Sequence, residues 1–515
     1  MRDWTAGYIT DLGYTPGYFP ELNPMLIQLA FINAGLVPPQ TGHACELGFG
    51  QGVSVNVHAA GSGWQWHGTD FNPAQAHLAQ EMARTSGAKV HLTADAFAEY
   101  AARTDLPDFD FIALHGIWSW ISDDNRQVLV DFIDRKLKVG GVLYISYNTW
   151  PGWSAFAPLR EIMHRFVQTQ TASGQGLPAR IDAALNYAEL VLDKSPRLQQ
   201  AFPMLRDALQ RQRDNARAYL AHEFFNQHWQ PMFFSQVAEQ LTGARLQFAC
   251  SASLLEHVDL LHLSAEQQVL LQGIEDPLMR QSTRDLMVNQ LFRRDYWVRG
   301  ARKLTEGERL EKLAALRLVL VGHAPLVPSK VVGALGEATL NEGVYKPLIE
   351  LMSDHKVRSF GEIQQTLEGR LTPAQVLEMV LVYCATNQLA LVQDDAVTAA
   401  AEPNSRRLND WVANRARFSA ELNFQVSPVT GGALGIGRFS ILFLQAWRNG
   451  ACDSSDAAVA NWVQALWQLL QSQRQQLVIN GQALEGEAAH LQELTRMAQE
   501  FRDRMLPILQ VLRIA

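Results

Sequence analysis

Three glycines alternate over five positions, Gly48, Gly50 and Gly52, directly after the apolar run 42–47 and at the opening of a helical stretch over 52–60. Backbone without Cβ atoms at a helix N-terminus can approach a bound molecule closely, so this segment predicts a strand, a tight turn and a helix with a ligand at their junction. The alternation continues along the chain. Strands are predicted at 64–69, 90–94, 111–115 and 142–147, with helices at 73–87, 96–103 and 123–137 between them. Asn72 is placed as an N-cap with Pro73 at the first helical position, Gly87 as the matching C-cap, and Ser122 as the cap of the later helix. Five strands with short crossovers imply an α/β fold with a doubly wound, mostly parallel sheet. Ligands of such sheets bind beyond the carboxyl ends of the strands.

Acids stand at three of those ends. Glu46 lies two places before Gly48, and Val53 occupies the position where a pyrophosphate-binding turn wants Gly or Ala. A carboxylate at Glu46 repels a pyrophosphate but accepts from the ammonium of a methionyl group. Asp70 is placed to accept both hydroxyls of an adenosine ribose, with Phe71 offering an apolar face to the base. Asp95, in Ala94-Asp95-Ala96-Phe97, is placed to accept the exocyclic amine of adenine while Phe97 packs nearby. A tight turn or an N-cap explains any one of these alone; their shared register predicts one adenosyl-amino-acid ligand.

The glycine motif, Asp70, Asp95 and the lead Leu137-Lys138-Val139-Gly140-Gly141 into the fifth strand resemble class I S-adenosylmethionine (SAM) dependent methyltransferases with their Rossmann-like sheet. The stretches from Tyr14 to Pro24, His115 to Trp120, Ser146 to Trp153 and Tyr219 to Glu223 resemble bacterial members carrying a methyltransferase regulatory domain. That group includes protein-lysine methyltransferases acting on bacterial surface proteins. The resemblance spans roughly residues 14 to 300 and implies SAM as cofactor and a protein as substrate.

Methyl transfer is an in-line displacement that chiefly needs alignment and exclusion of water. An amine acceptor must also be neutral, and a desolvating aromatic pocket favours that form. Trp118, Trp120, Tyr147, Trp150 and Trp153 follow the fourth and fifth strands; Trp118, Tyr147 and Trp153 are taken as acceptor-site residues, with His115 as general base and cofactor contact. The proline-broken segment around Tyr18 is expected to form a lid with Tyr18 on the cofactor. His222-Glu223-Phe224-Phe225-Asn226 opens like a zinc-binding HExxH, but Asn226 replaces the second histidine, so capping or packing is expected there and no metal.

A chain of 515 residues exceeds one core, so the expected units are the SAM-binding domain 1–153, a helical insertion 154–230, a helix and strand at 231–265 completing the sheet, a regulatory region 266–402 and a mainly helical domain 403–515. Residues 286–304 read as helical and 403–407 as a linker. Three helical patterns and an apolar strand over 336–392 suit a winged-helix-like module. Its third helix, 373–389, has no Lys or Arg and carries Glu378, which points to protein rather than DNA contact. The excess of 52 acidic over 44 basic side chains likewise leaves no basic footprint for nucleic acid. No apolar run of signal or membrane-span length is present, so the expected location is cytoplasmic, without membrane insertion. Four scattered cysteines are read as buried small hydrophobes, and Trp462 and Trp467 as core. The predicted activity is methylation of protein lysines. Methylation of a small metabolite, with the further domains serving a homodimer, and a SAM-binding scaffold without turnover are the alternatives.

Overall fold

Turn glycines, helix caps and strand alternation act together in the first third of the chain. The computed structural model describes residues 5, 7–10, 12–13, 15–172, 174–479 and 481–515; Tyr14, in the proline-broken motif, lies outside them. Strands β1 (His43–Leu47), β2 (Gln65–Thr69), β3 (Val90–Thr93), β4 (Phe109–Leu114) and β5 (Leu137–Asn148) pair in parallel in the order 3-2-1-4-5. Asn72 caps the helix Pro73–Ser86 by accepting from the Ala74 amide, Gly87 closes it in the left-handed region, and Ser122 accepts from Asn125 at the head of Asp123–Lys136. The doubly wound reading therefore stands.

Two further strands extend the sheet: β6 (Leu246–Ser251) and β7 (Phe292–Arg299), with β7 inserted between β5 and β6 and antiparallel to both. The helical reading of 286–304 is thus corrected over 292–299. The charges of Arg293, Arg294 and Asp295 disguise the strand. In the fold Arg293 and Asp295 lie on one face and satisfy each other at 2.8 Å, while Arg294 turns to the opposite side. The completed sheet accordingly draws on residues beyond 231–265.

Residues 157–224 form helices around their own apolar cluster, with Trp153, Phe156 and Phe224 at its edge. Farther on, Arg317–Leu320 is the middle of a three-stranded antiparallel sheet between Arg358–Ser359 and Leu389–Val392. Three helices, Glu342–Met352, Phe360–Thr366 and Pro373–Ala385, accompany it, but the winged-helix reading fails in two respects. The middle strand comes from upstream, and Leu389–Val392 leads into the helix Asp395–Ala416 with no wing hairpin. Residues 336–339 are a strand paired with Lys330–Gly333 rather than the start of a helix. The helix expected to contact a protein is core instead: Val376 and the whole stretch from Met379 to Cys384 are buried.

The linker reading of 403–407 is also corrected. Those residues lie inside the helix Asp395–Ala416, where Pro403 removes one backbone donor but packing holds the element. Ser405 donates to the Ala60 carbonyl, Arg407 to that of Ser86, and Arg415 pairs with Glu81 at 2.9 Å. This helix therefore braces Val53–Gly61 and Pro73–Ser86, the two helices behind the glycine turn. Trp462 and Trp467 are core, as read. Cys45, Cys250 and Cys384 are buried, whereas Cys452 is exposed in the turn after Arg438–Asn449. No helix among the described residues is long and apolar enough to cross a membrane.

Candidate active site

A cavity of about 520 Å³ opens at the carboxyl ends of β1, β2, β4 and β5. The glycine turn forms its floor, with φ of +74°, +58° and +72° at Gly48, Gly50 and Gly52. The three positions differ in what surrounds them. A Cβ at Gly48 would stand 2.3 Å from Ile117, and one at Gly52 2.3 Å from the Ala79 Cβ, but one at Gly50 would meet nothing within 4 Å. Gly50 thus faces open cavity, while Gly52 sits where two helices touch.

Glu46 ends in this cavity at 3% exposure, and among the described residues its Oε2 has no hydrogen-bond partner. Burial, with the Asp70 charge second, pushes its carboxyl up to about 8. An orphaned buried acceptor of this kind suits a cationic donor. Asp70 accepts from the Gly50 amide at 2.8 Å and the Asn72 amide at 2.9 Å, so the acid that ends β2 also holds the glycine turn in shape. Burial moves its carboxyl up to about 6. Phe71, Ala96 and Phe97 line the same space.

Asp95 is not brought in. Its carboxylate turns to Arg103 at 3.3 Å, and only the neighbouring Ala96 and Phe97 reach the cavity. His115 does line it, stacked on Phe19 with centroids 3.8 Å apart and bonded through Nδ1 to the Tyr144 hydroxyl at 2.8 Å. Burial, and after it the Arg294 charge, pulls its pKa down to about 3. A ring of such low proton affinity is a poor base toward an ammonium, which speaks against the general-base reading of His115; what the geometry shows is a ring packed between Phe19 and Tyr144 that lines the cavity.

The aromatic residues divide by strand alternation. Along β5, Asn148 reaches the cavity and Tyr144 bonds to His115, whereas Tyr147 points to the opposite face and donates to Asp295 at 2.9 Å. Trp118 is fully buried in that same core and donates to Gln240 at 3.0 Å. Neither Tyr147 nor Trp118 is an acceptor-site residue. Trp120 and Trp153 line the cavity, at 7% and 9% exposure, and Trp150 packs against the helical cluster instead.

In the amino-terminal segment, Phe19 rather than Tyr18 lines the cavity. Tyr18 is half-buried against His58 and reaches toward Gly432 of the carboxyl-terminal unit. Thr15, Gly17 and Phe19 face the cavity, and Ser54 accepts from the Phe19 amide. Phe19→Ala is therefore expected to weaken cofactor binding severalfold and Tyr18→Ala to leave it unchanged, as isothermal calorimetry of both variants checks.

Several lining residues escaped the sequence reading. Tyr8 sits edge-on to Phe71 at 5.7 Å and 5.3 Å from His222, and the Ile9 amide donates to Asn226. Asn226 donates to the His222 carbonyl, and His222 bonds to Leu12. The HEFFN motif thus ties the amino-terminal segment down and leaves Glu223 facing the cavity. Arg294 lines it too, paired with Glu21 at 3.1 Å. The motif itself was the available signal for Glu223; Arg294 was hidden with its strand.

Comparison with known proteins matches this architecture. Residues 45–145 match the family described as "Methyltransferase domain", and residues 216–299 that described as "Predicted methyltransferase regulatory domain". The uncharacterized protein sll1526 of Synechocystis sp. (strain ATCC 27184 / PCC 6803 / Kazusa) is 34% identical over 518 residues, covering 99% of this chain and 100% of that protein. The uncharacterized protein RP789 of Rickettsia prowazekii (strain Madrid E) is 25% identical over 260 residues, 48% of this chain and 44% of its own. Among solved structures, PKMT2 from Rickettsia typhi in complex with AdoHcy superposes with a TM-score of 0.68 at 16% identity, covering 97% of this chain and 99% of that one. At that identity the likeness concerns the fold, and it extends through the units beyond the sheet. The chain belongs to the class I SAM-dependent methyltransferases that carry a methyltransferase regulatory domain.

Proposed function

We propose that this methyltransferase acts on nitrogen and that its acceptors are lysine side chains of a protein. The charge of the cavity carries this reading. Among the described lining residues, Glu46, Asp70 and Glu223 face a single guanidinium, Arg294, which Glu21 already pairs. Such a balance favours cationic occupants over acidic ones. SAM, when bound, supplies an electrophilic methyl group on a sulfonium. Glu46 would hold the ammonium of its amino-acid end, Asp70 its ribose hydroxyls, and Phe71 and Phe97 its base, with the Cβ-free backbone at Gly50 giving room. A lysine brings a second cation. Trp120 and Trp153, with Tyr219 at the rim, suit an approaching ammonium and strip it of water, which favours the neutral amine.

The protein nature of the acceptor is supported by the likeness along the whole chain to PKMT2, whose name denotes a protein-lysine methyltransferase. We take residues 1–153 with 231–299 as the transferring unit and 154–230 as the insertion that walls the acceptor side. Incubating the enzyme and methyl-labelled SAM with protein extract from a strain lacking its gene is expected to add methyl groups to lysines, read by mass spectrometry. Label confined to small molecules or to other residue types contradicts the acceptor.

A further inference from the structure

Glu223 is the cavity's one carboxylate that the cofactor reading leaves without a task. It lies on the helix Arg217–Phe224, in the acceptor wall rather than the glycine floor. Its position is fixed from both sides. The Trp120 indole donates to its backbone carbonyl at 3.4 Å, and Trp153 stands edge-on to the adjoining Phe224 at 5.9 Å. Among the described residues its side chain makes no hydrogen bond and no ion pair. Glu46 responds to the charge of Asp70, but Glu223 responds to neither, so it stands apart from the acid pair of the cofactor end. Among the described residues, the titratable and charged groups that line the cavity with it are Tyr219 and His222 of its own helix, Tyr8 of the amino-terminal segment, and His115, Arg294, Glu46 and Asp70.

Resting on the reading of a lysine acceptor, we propose that Glu223 is a catalytic residue whose carboxylate holds the incoming ε-ammonium and takes its proton. The transfer leaves a carboxylic acid and a neutral amine. The nitrogen lone pair then forms the N–C bond as the C–S bond breaks; the electron pair of that bond stays on sulfur, and the positive charge passes to the methylated nitrogen. Glu223 returns its proton to solvent as the product leaves. Burial alone raises this carboxyl to about 7, which brings it closer to an amine than an exposed glutamate is. The other candidate base, His115, is held neutral and weakly basic.

Glu223→Gln keeps the size of the side chain and removes the acceptor. With the full chain, methyl-labelled SAM and protein extract from the gene-deletion strain, this variant is expected to bind SAM as the wild type does. Its rate of methyl-lysine formation is expected to fall on the order of a hundredfold or more. At saturating SAM, where the pH dependence of cofactor affinity drops out, the rise of the wild-type rate with pH near 7 is expected to vanish with it, and Glu223→Asp to restore part of both. A wild type that methylates lysines, with Glu223→Gln matching its rate and pH profile, overturns the role of Glu223 alone. A wild type that leaves lysines untouched contradicts the acceptor reading and the inference with it. Should Glu223→Gln not fold, Glu223→Asp decides: a retained rise near pH 7 supports the proposal and a flat profile overturns it.

Discussion

Replacing Gly50 by valine is expected to abolish measurable SAM binding while the protein stays folded. Its Cβ meets no protein atom within 4 Å, so the new side chain fills cavity instead of clashing with the core. The strain of φ +58° costs about 1–2 kcal/mol, which a folded chain of this size can absorb. Gly52→Ala is expected to do the reverse, lowering the melting temperature, because its Cβ would stand 2.3 Å from that of Ala79 between two packed helices. Asp70→Ala removes a charged acceptor of hydrogen bonds, each worth about 1.5–3 kcal/mol, so loss of two ribose contacts is on the order of a hundredfold or more in Kd. Isothermal calorimetry with thermal unfolding of each variant separates binding from stability.

The same acids set a pH dependence. Both have pKa values raised in the folded state, from 3.8 to about 6 for Asp70 and from 4.5 to about 8 for Glu46, so the free protein loses their stabilising contribution as the pH rises from the ordinary carboxylate range to about 6 and about 8 respectively. A ligand ammonium beside Glu46 favours its ionised form. SAM affinity is therefore expected to grow from about pH 6 to about pH 8, and the thermal stabilisation by SAM to grow with it.

The second large effect belongs to Arg293. Its guanidinium, 4% exposed, pairs with Asp285 at 2.5 Å and Asp295 at 2.8 Å and lies over the Phe234 ring, while Tyr147 donates to Asp295. Arg293→Leu strands two buried carboxylates and is expected to destabilise the sheet by about 3–5 kcal/mol in denaturant titration. Replacing Asp285 and Asp295 by leucine in the same protein is expected to recover most of that loss, since apolar side chains of similar volume substitute well for a buried ionic cluster. An Arg293→Leu protein with wild-type stability contradicts the assignment of this cluster as a structural tie between β5 and β7.

Local chemistry made the glycine floor of the cavity legible. Glycines that must adopt positive φ, an Asn-Pro cap and acids at strand ends act within a few residues of themselves, and Glu46, the glycine turn and Asp70 converge as their register implies. Where tertiary context decides, the sequence is silent. Tyr147 looks like a neighbour of Trp150 and Trp153, but β5 runs on to Asn148 and its alternation sends Tyr147 into the far core. Tyr18 and Phe19 are adjacent, and only packing against Gly432 decides which of them faces the cavity. Charges concealed β7, because Arg293 finds its partner Asp285 on a helix eight residues upstream. Pro403 and its polar neighbours read as a linker, and contacts to Ala60 and Ser86 make them helix. Asp95 stands two residues beyond the end of β3, which stops at Thr93 rather than 94, and Arg103 one helix later captures its carboxylate.

A crystal structure with S-adenosylhomocysteine tests the central claim most directly. The account predicts the ligand's ammonium on Glu46, its ribose on Asp70 and its backbone neighbours at Gly48 to Gly50. Density for the ligand elsewhere, or a ribose that Asp70 does not touch, contradicts it.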